Sequence, residues 1–135
     1  MTSIVVYDGD LRTTCCHVRS GSVIETDAPV DNSGKGERFS PTDLMATSLA
    51  TCMITVMGIK ATSMDFDING AKVEVEKIMK TAPRRVGGIN LTFHMPDNLA
   101  DVDERSKEVL KNAALTCPVQ YSIHPDIEVN VNWNW

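Results

Sequence analysis

The sequence lacks an excess of positive charge. Of its 135 residues, 13 are lysine or arginine and 18 are aspartate or glutamate, which gives a net charge of −5. Proteins that bind nucleic acid or anionic membrane surfaces usually carry an overall or clustered excess of cations. We therefore expect neither of these partners, and the composition favours a small molecule or another protein.

The N-terminus also lacks the two parts of a secretory signal. Residues 1–7 read MTSIVVY, without a basic segment and without a long apolar one. Four cysteines are too few for a small secreted domain held together by disulfides. We expect a cytoplasmic protein, in which the reducing environment makes any disulfide transient or catalytic.

The common patterns of metal and hydrolytic sites are missing as well. Cys15, Cys16 and His17 are adjacent, but alternation along a strand would send Cys16 to the opposite face from the other two. A zinc site needs four converging ligands, usually with a Cys-x2-4-Cys spacing, and neither is visible. His94 is expected on the polar face of a strand, and His124 precedes a proline in a turn. We therefore expect no metal site.

Among the features that are present, the first is a β-meander. Short alternating segments separated by turn residues predict three strands over residues 3–27. The predicted strands are residues 4–7, 11–19 and 22–27.

The second feature is a helix start followed by a long uncharged run. Ser40 is predicted as the N-cap, Pro41 occupies the first helical position, and Asp43 can accept a bond from the cap amide. No charged residue occurs in residues 44–59, and the apolar ones point around the whole circumference, which predicts a central helix buried on all sides. A membrane span is the alternative, but this run is shorter than the roughly 20 apolar residues that a span requires.

The rest of the chain predicts a sheet covered by a second helix. Alternation in residues 72–76 and 89–95 predicts a hairpin with one solvent-exposed face, connected through residues 84–88. Asp101 is predicted to cap an amphipathic helix, and residues 127–133 alternate as a final strand. The apolar stripe of that helix comprises Val102, Val109, Leu110, Ala113 and Ala114. The predicted fold class is α+β, in a single domain of residues 1–135.

Two cysteines stand in contrasting settings. Cys52 lies in the middle of the uncharged helix, where a thiol is usually an inert, small apolar group and where reactivity requires a nearby cation. Cys117 precedes Pro118 at a predicted helix start, where unpaired amides favour a thiolate. They are 65 residues apart, a spacing that leaves open whether they meet. The candidate cations are Arg12, Arg19, Arg38, Arg84 and Arg85.

Together, these motifs resemble the OsmC/Ohr family over nearly the whole chain. The resemblance is carried by Phe39-Ser40-Pro41-Thr42-Asp43-Leu44 leading to Cys52, and by Thr116-Cys117-Pro118-Val119 near the C-terminus. It implies an OsmC-like fold with an N-terminal β-meander, a long buried central helix, further antiparallel strands and a second amphipathic helix. It also implies an intertwined homodimer with two active sites built from both chains.

The same resemblance implies a cytoplasmic thiol peroxidase that reduces organic hydroperoxides. Cys52 would be the attacking thiol, Cys117 would form a disulfide with it, and an external dithiol or lipoyl-type protein would reopen the disulfide. No metal, flavin or other cofactor would be needed. Arg12 is the nearest match to the family's activating arginine. Family peroxidases carry a glutamate directly after the proline of the helix start, where this chain has Thr42. Glu37 and Asp43 are candidate replacements.

The missing glutamate keeps a second interpretation open. A non-catalytic OsmC-like protein would retain the fold and bind a hydrophobic or thiol-reactive small molecule, with Cys52 serving only in packing. A structural dimer without any ligand is a third possibility, but it leaves the setting of Cys117 unexplained.

Overall fold

The computed structural model describes residues 1–135, and the α+β class is confirmed. Two three-stranded sheets are accompanied by three helices and two short 3-10 turns. The chain divides into two compact units, Met1–Met45 and Ala46–Trp135.

The first unit contains the meander, as predicted. Strands β1 (Ser3–Gly9), β2 (Arg12–His17) and β3 (Val23–Asp27) pair antiparallel in the order β1-β2-β3. The β1–β2 turn places Asp10 and Leu11 at positive φ, a conformation that tight turns require. The apolar side chains of β1 remain exposed, with Tyr7 at 65%.

Helix α1 (Pro41–Thr62) begins where the sequence predicts. The Ser40 amide donates to Asp43 Oδ2 at 2.8 Å, and the Asp43 amide donates to Ser40 Oγ at 3.1 Å. This reciprocal pair is the capping box that satisfies two backbone donors at a helix N-terminus. Asp43 is therefore engaged in starting the helix.

The prediction that this helix is buried on all sides is wrong. Its buried residues recur at helical spacing along one face, and Ile59 on another face is 68% exposed. The remaining circumference carries hydroxyl side chains that bond within the helix, such as Thr55 Oγ1 donating to the Thr51 carbonyl at 2.7 Å. An uncharged run therefore does not imply an all-round apolar environment. The buried residues are Ala46, Leu49, Ala50, Met53, Met57 and Ala61.

The length argument against a membrane span also needs correction, because α1 extends over 22 residues with a mean hydropathy of 1.5 over its most apolar window. By length and composition alone it is able to cross a bilayer, a test that core helices of soluble proteins also pass. The face that carries Leu49 and Met53 is fully buried inside the protein, as expected of a core helix.

The second unit contains a mixed sheet. Strands β4 (Lys72–Thr81) and β5 (Arg84–His94) form the predicted antiparallel hairpin, while β6 (Glu128–Asn134) pairs parallel with β5. The expectation of further antiparallel strands holds for β4 and β5 and is wrong for β6, because the chain passes through helices before it returns to the sheet. Residues 84–88, predicted as the connection, belong to β5, and the turn lies at Ala82-Pro83.

Helices α2 (Glu104–Leu115) and α3 (Pro118–Ser122) complete the second unit. The N-cap of α2 is Asp103, whose Oδ1 accepts a bond from the Ser106 amide at 3.0 Å, so the prediction of Asp101 is wrong by two residues. Leu110 and Ala114 of the predicted apolar stripe are fully buried. The alternating residues Ile89, Leu91 and Phe93 of β5 are buried as well, and they form the sheet's contribution to the core.

Candidate functional site

The structure brings Cys52 and Cys117 together. Both belong to the second unit, and their side chains lie close enough for Cys52 to raise the pKa of the Cys117 thiol. Neither thiol is in a disulfide. The sequence separation left this contact undecided, and it is the central feature of the candidate site.

Cys117 occupies the N-cap of α3, which confirms the predicted helix start. Its backbone is extended, with φ −70° and ψ 145°, and Pro118 follows in the first turn. The Gln120 amide donates to Cys117 Sγ at 3.4 Å. The side chain is completely buried, so solutes do not reach it directly.

Burial raises the pKa of the Cys117 thiol, because a thiolate is poorly solvated in the protein interior. The amides of Gln120 and Val119 act in the opposite direction, while the contact with Cys52 adds to the increase. A negative charge on Cys52 opposes loss of the proton from Cys117. The expectation that the helix start makes Cys117 a thiolate is therefore wrong, since the five-residue helix α3 does not offset the cost of burial.

Cys52 is the more accessible of the two thiols. It is half-buried on α1, next to the exposed Thr51 and to Met53, which is fully buried. The two thiols thus differ in solvent accessibility, which decides which of them reacts first with a solute. Cys52 can be approached from solvent, and Cys117 is enclosed in the protein interior.

Arg12 lies in the first unit and is held by two carboxylates. Its Nε and Nη2 atoms donate to the two oxygens of Asp27 at 2.7 and 2.8 Å. Nη2 also donates to Glu37 Oε2 at 2.9 Å. Glu37 was one of the two candidate replacements for the family glutamate, and it does contact Arg12. Thr42 bonds with the Ser40 hydroxyl at 3.1 Å instead.

Asp27 was not predicted from the sequence as a partner of Arg12, although its position at the end of a predicted strand pointed to it. The residue ends the third predicted strand, and in the ladder it stands directly opposite Arg12. A charged pair at matching ends of neighbouring strands is a recognisable pattern once the register is known. Asp27 is only 1% exposed, and its Oδ2 also accepts a bond from the Glu37 amide at 3.1 Å.

The ion pair shifts the pKa values of Arg12 and Asp27 in opposite directions, each toward the charged form. Hydrogen bonds from Arg12 lower the pKa of Asp27 to about 2, and hydrogen bonds to Asp27 and Glu37 raise the pKa of Arg12. Arg12 therefore carries a permanent positive charge in a fixed plane.

The other candidate residues are engaged elsewhere or exposed. Arg38 pairs with Glu25 at 2.8 Å, and Arg19 is exposed between β2 and β3. Among the histidines, His94 lies 3.4 Å from a carboxylate oxygen of Glu74, and His124 is exposed. The remaining arginines, Arg84 and Arg85, lie at the start of β5.

Comparison with known proteins places these features in a family. The family model of OsmC-like proteins matches residues 34–132. A protein of Psychrobacter arcticus, provisionally named an osmotic stress induced and detoxification response protein, is 51% identical. The alignment covers 99% of this chain and 96% of that one, with a TM-score of 0.94.

More distant solved structures share the fold. An organic hydroperoxide resistance protein OsmC from Legionella pneumophila is 17% identical, with 100% and 98% of the two chains covered and a TM-score of 0.76. The organic hydroperoxide resistance protein OhrB of Bacillus subtilis is also 17% identical, with 99% and 98% covered and a TM-score of 0.65. No curated protein matches the sequence. The matched segment includes both the α1 cysteine and the Cys117-Pro118 helix start, and the chain belongs to the OsmC-like protein family.

Proposed function

We propose that this protein is a cytoplasmic thiol peroxidase that reduces organic hydroperoxides to alcohols. The observation that carries the proposal is the proximity of two thiols of different accessibility, a half-buried Cys52 and a fully buried Cys117. A pair in which one thiol is accessible and the other is buried suits sequential oxidation and resolution. The names of the Legionella and Bacillus proteins are consistent with this substrate class.

In the first step, the Cys52 thiolate attacks the terminal oxygen of the hydroperoxide. The O–O bond breaks, the sulfur becomes a sulfenic acid, and the departing alkoxide takes up a proton to give the alcohol. The nucleophile must be within reach of the substrate, and only Cys52 of the pair is.

In the second step, Cys117 attacks the sulfenic sulfur of Cys52. A disulfide forms, and the hydroxyl group leaves with the thiol proton as water. Because burial raises the pKa of Cys117, the thiol keeps its proton until Cys52 is oxidised. Its burial also protects it from direct attack by peroxide or alkylating agents.

The cycle closes when an external dithiol or lipoyl-type protein reduces the disulfide. One thiolate of the donor attacks a sulfur of the Cys52–Cys117 bond, and its second thiol completes the exchange. The donor becomes oxidised, and both protein thiols are restored. This sequence requires no metal and no cofactor.

For activation of Cys52 we propose Arg12, by resemblance to the family. A guanidinium favours a thiolate electrostatically and also donates hydrogen bonds to a peroxide oxygen. In this chain Asp27 and Glu37 hold the guanidinium of Arg12. They would take the role of the family glutamate, whose position is occupied by Thr42. The departure at Thr42 therefore does not leave the arginine without a carboxylate.

We further propose that residues 1–135 act as one OsmC-like domain in an intertwined homodimer. A single chain leaves apolar surface uncovered, including Ile59 on α1 and Val5 and Tyr7 on β1. Exposed apolar side chains that share one face of a strand, as Val5 and Tyr7 do, are typical of protein interfaces. A second copy of the chain is the partner that the family resemblance implies.

The test is peroxide consumption by the reduced protein. Native protein, Cys52→Ser and Cys117→Ser are mixed with cumene hydroperoxide, with and without dithiothreitol, and the remaining peroxide is measured over time. We expect consumption by the native chain, none above background for Cys52→Ser, and a single turnover that stops at the sulfenic acid for Cys117→Ser without dithiol. Equal, negligible consumption by all three proteins would contradict the proposal.

A binding protein without catalysis remains the second candidate, and the replacement of the family glutamate by Thr42 is the feature that favours it. The same assay separates the two functions. A non-catalytic protein would show no peroxide loss, while its accessible Cys52 would still react with an apolar maleimide.

A further inference from the structure

Helix α3 lacks the packing that stabilises most helices in proteins. It spans five residues, Pro118–Ser122, and none of them is buried. Tyr121, its largest side chain, is 75% exposed. Isolated helices of this length are unstable in water, and helices in proteins are stabilised mainly by the packing of an apolar face. The stability of α3 therefore depends on the hydrogen bonds at its ends.

At the N-terminus of α3 these bonds run to Cys117. The Gln120 amide donates to Cys117 Sγ at 3.4 Å, and the Tyr121 amide donates to the Cys117 carbonyl at 3.4 Å, which is long for a bond to oxygen. Helices α1 and α2 are capped by side-chain oxygens of Ser40 and Asp103. A thiol sulfur is a weaker acceptor than these oxygens. The cap of α3 is thus the weakest of the three.

A disulfide between Cys52 and Cys117 would compete with this cap. Disulfide geometry fixes the Cys117 sulfur at bonding distance from its partner within a narrow range of dihedral angles. The same atom would then have to satisfy a covalent partner on α1 and the Gln120 amide on α3. The covalent bond is the stronger constraint, so the cap weakens. No buried residue of α3 opposes its opening.

The chemistry of disulfide reduction gives this opening a function. Thiol–disulfide exchange is faster when the leaving sulfur belongs to a thiol with a lower pKa. Burial raises the pKa of Cys117, so a donor that attacked Cys52 would have to expel a poorly solvated thiolate. Attack on Cys117 expels the accessible Cys52 instead. The favoured target is therefore the sulfur that is completely buried in the reduced chain.

We propose that disulfide formation opens α3 and thereby exposes the Cys117 sulfur to the dithiol donor. This inference rests on the proposed function, because only a chain that forms this disulfide needs a donor. A donor thiolate bonds to the Cys117 sulfur, the Cys52–Cys117 bond breaks, and Cys52 leaves as a thiolate. The second donor thiol loses its proton and attacks the donor sulfur of the mixed disulfide, which releases Cys117 to take up a proton. The donor becomes a disulfide, and α3 closes on the restored cap.

Hydrogen exchange of the α3 amides tests the opening. Full-length protein is oxidised with diamide, so that no peroxide chemistry is involved, and peptide mass spectrometry verifies the link between the two cysteines. We expect the amides of residues 119–122 to exchange at least about tenfold faster in the oxidised protein than in the reduced one, with unchanged exchange in α2. Equal exchange in both states, or a chain that diamide does not link, would overturn the inference.

Two substitutions separate the cap from the disulfide. Cys117→Ser keeps an oxygen acceptor at the N-cap but forms no disulfide, so its α3 amides should exchange slowly with or without diamide. Cys117→Ala has neither, and it should exchange at the rate of the oxidised protein without any oxidant. Circular dichroism verifies that both variants are folded. Slow exchange in a folded Cys117→Ala would show that the sulfur does not hold α3 closed.

The sulfur that the donor attacks is identified separately. Oxidised protein is treated with glutathione, a monothiol that stays on the sulfur it attacks, and the released thiol is trapped with N-ethylmaleimide. We expect glutathione on Cys117 and maleimide on Cys52, and the reverse labelling would overturn the inference. Both measurements start from a disulfide formed without peroxide. Loss of peroxidase activity with these results intact therefore overturns only the proposed function, and peroxidase activity with a closed α3 overturns only this inference.

Discussion

Arg12 and Asp27 face each other at matching positions of β2 and β3, and the buried carboxylate accepts two bonds from the guanidinium at 2.7 and 2.8 Å. The pair holds the planar cation in one orientation, which a single contact does not achieve. Glu37 adds a third bond from the loop before α1. The chain thus supplies carboxylates to Arg12 from two places in the first unit.

Acid should weaken the first unit through Asp27. Its pKa is lowered to about 2 in the folded protein, from 3.8, by the hydrogen bonds from Arg12. A carboxylate with a depressed pKa contributes stability that is fully present above its unfolded pKa and is lost as pH falls through the folded value. We expect the difference in unfolding free energy between native protein and Asp27→Asn to be constant above about pH 5 and to shrink between about pH 4 and 2.

Urea unfolding at several pH values, monitored by circular dichroism, measures this difference. Glu37→Gln is the matched control, because Glu37 is largely exposed and its contact with Arg12 is screened by solvent. If the difference in unfolding free energy between native protein and Asp27→Asn were the same at pH 5 and pH 2, the ion pair would not be the source of the pH dependence.

The two site cysteines should differ in reactivity. With iodoacetamide at neutral pH, we expect Cys52 to be modified at least about tenfold faster than Cys117, because burial excludes the reagent and raises the pKa of the Cys117 thiol. Peptide mass spectrometry after timed quenching measures each site separately. In urea the two rates should converge. Faster modification of Cys117 in the native protein would reverse the assignment of attacking and resolving thiols.

The elements that local chemistry determines were predictable from the sequence. Turn residues marked the meander, and Ser40 with Asp43 marked the start of α1, because caps and turns are satisfied by neighbours in sequence. Alternation correctly indicated β4, β5 and β6. The error at the α2 cap is of the same local kind, since Asp101 and Asp103 are both acceptable caps and only packing chooses between them.

The elements that depend on tertiary structure were not predictable in the same way. The parallel pairing of β6, the exposed side of α1 and the burial of Cys117 all follow from which surfaces meet, and single-sequence patterns do not contain that information. The protonation of Cys117 shows the consequence. The helix start was recognised correctly, but the sign of its pKa shift depends on burial, which the sequence did not provide.

The capping box should contribute measurably to stability. Replacing Ser40 with alanine removes a side-chain bond to the helix amide, and we expect a loss of about 1 kcal/mol in unfolding free energy. Asp43→Ala should cost a similar amount, and the double variant less than the sum, because each side-chain bond holds the backbone in the geometry that the other bond needs. Urea denaturation of the native protein, the two single variants and the double variant gives the double-mutant cycle. Strict additivity would contradict a reciprocal box.

Restoring the family glutamate should bring little gain. In Thr42→Glu the new carboxylate would compete with Asp27 and Glu37, which already engage Arg12 through three hydrogen bonds. If that engagement replaces the function of the missing glutamate, kcat/KM for cumene hydroperoxide should change by less than about tenfold, or 1.4 kcal/mol in barrier height. Asp27→Asn should lower kcat/KM more than Thr42→Glu raises it. Because the Asp27 change also affects folding, activity is compared at a temperature where circular dichroism shows both variants folded. A large gain in Thr42→Glu together with unchanged activity in Asp27→Asn would show that the two carboxylates do not substitute for the family residue.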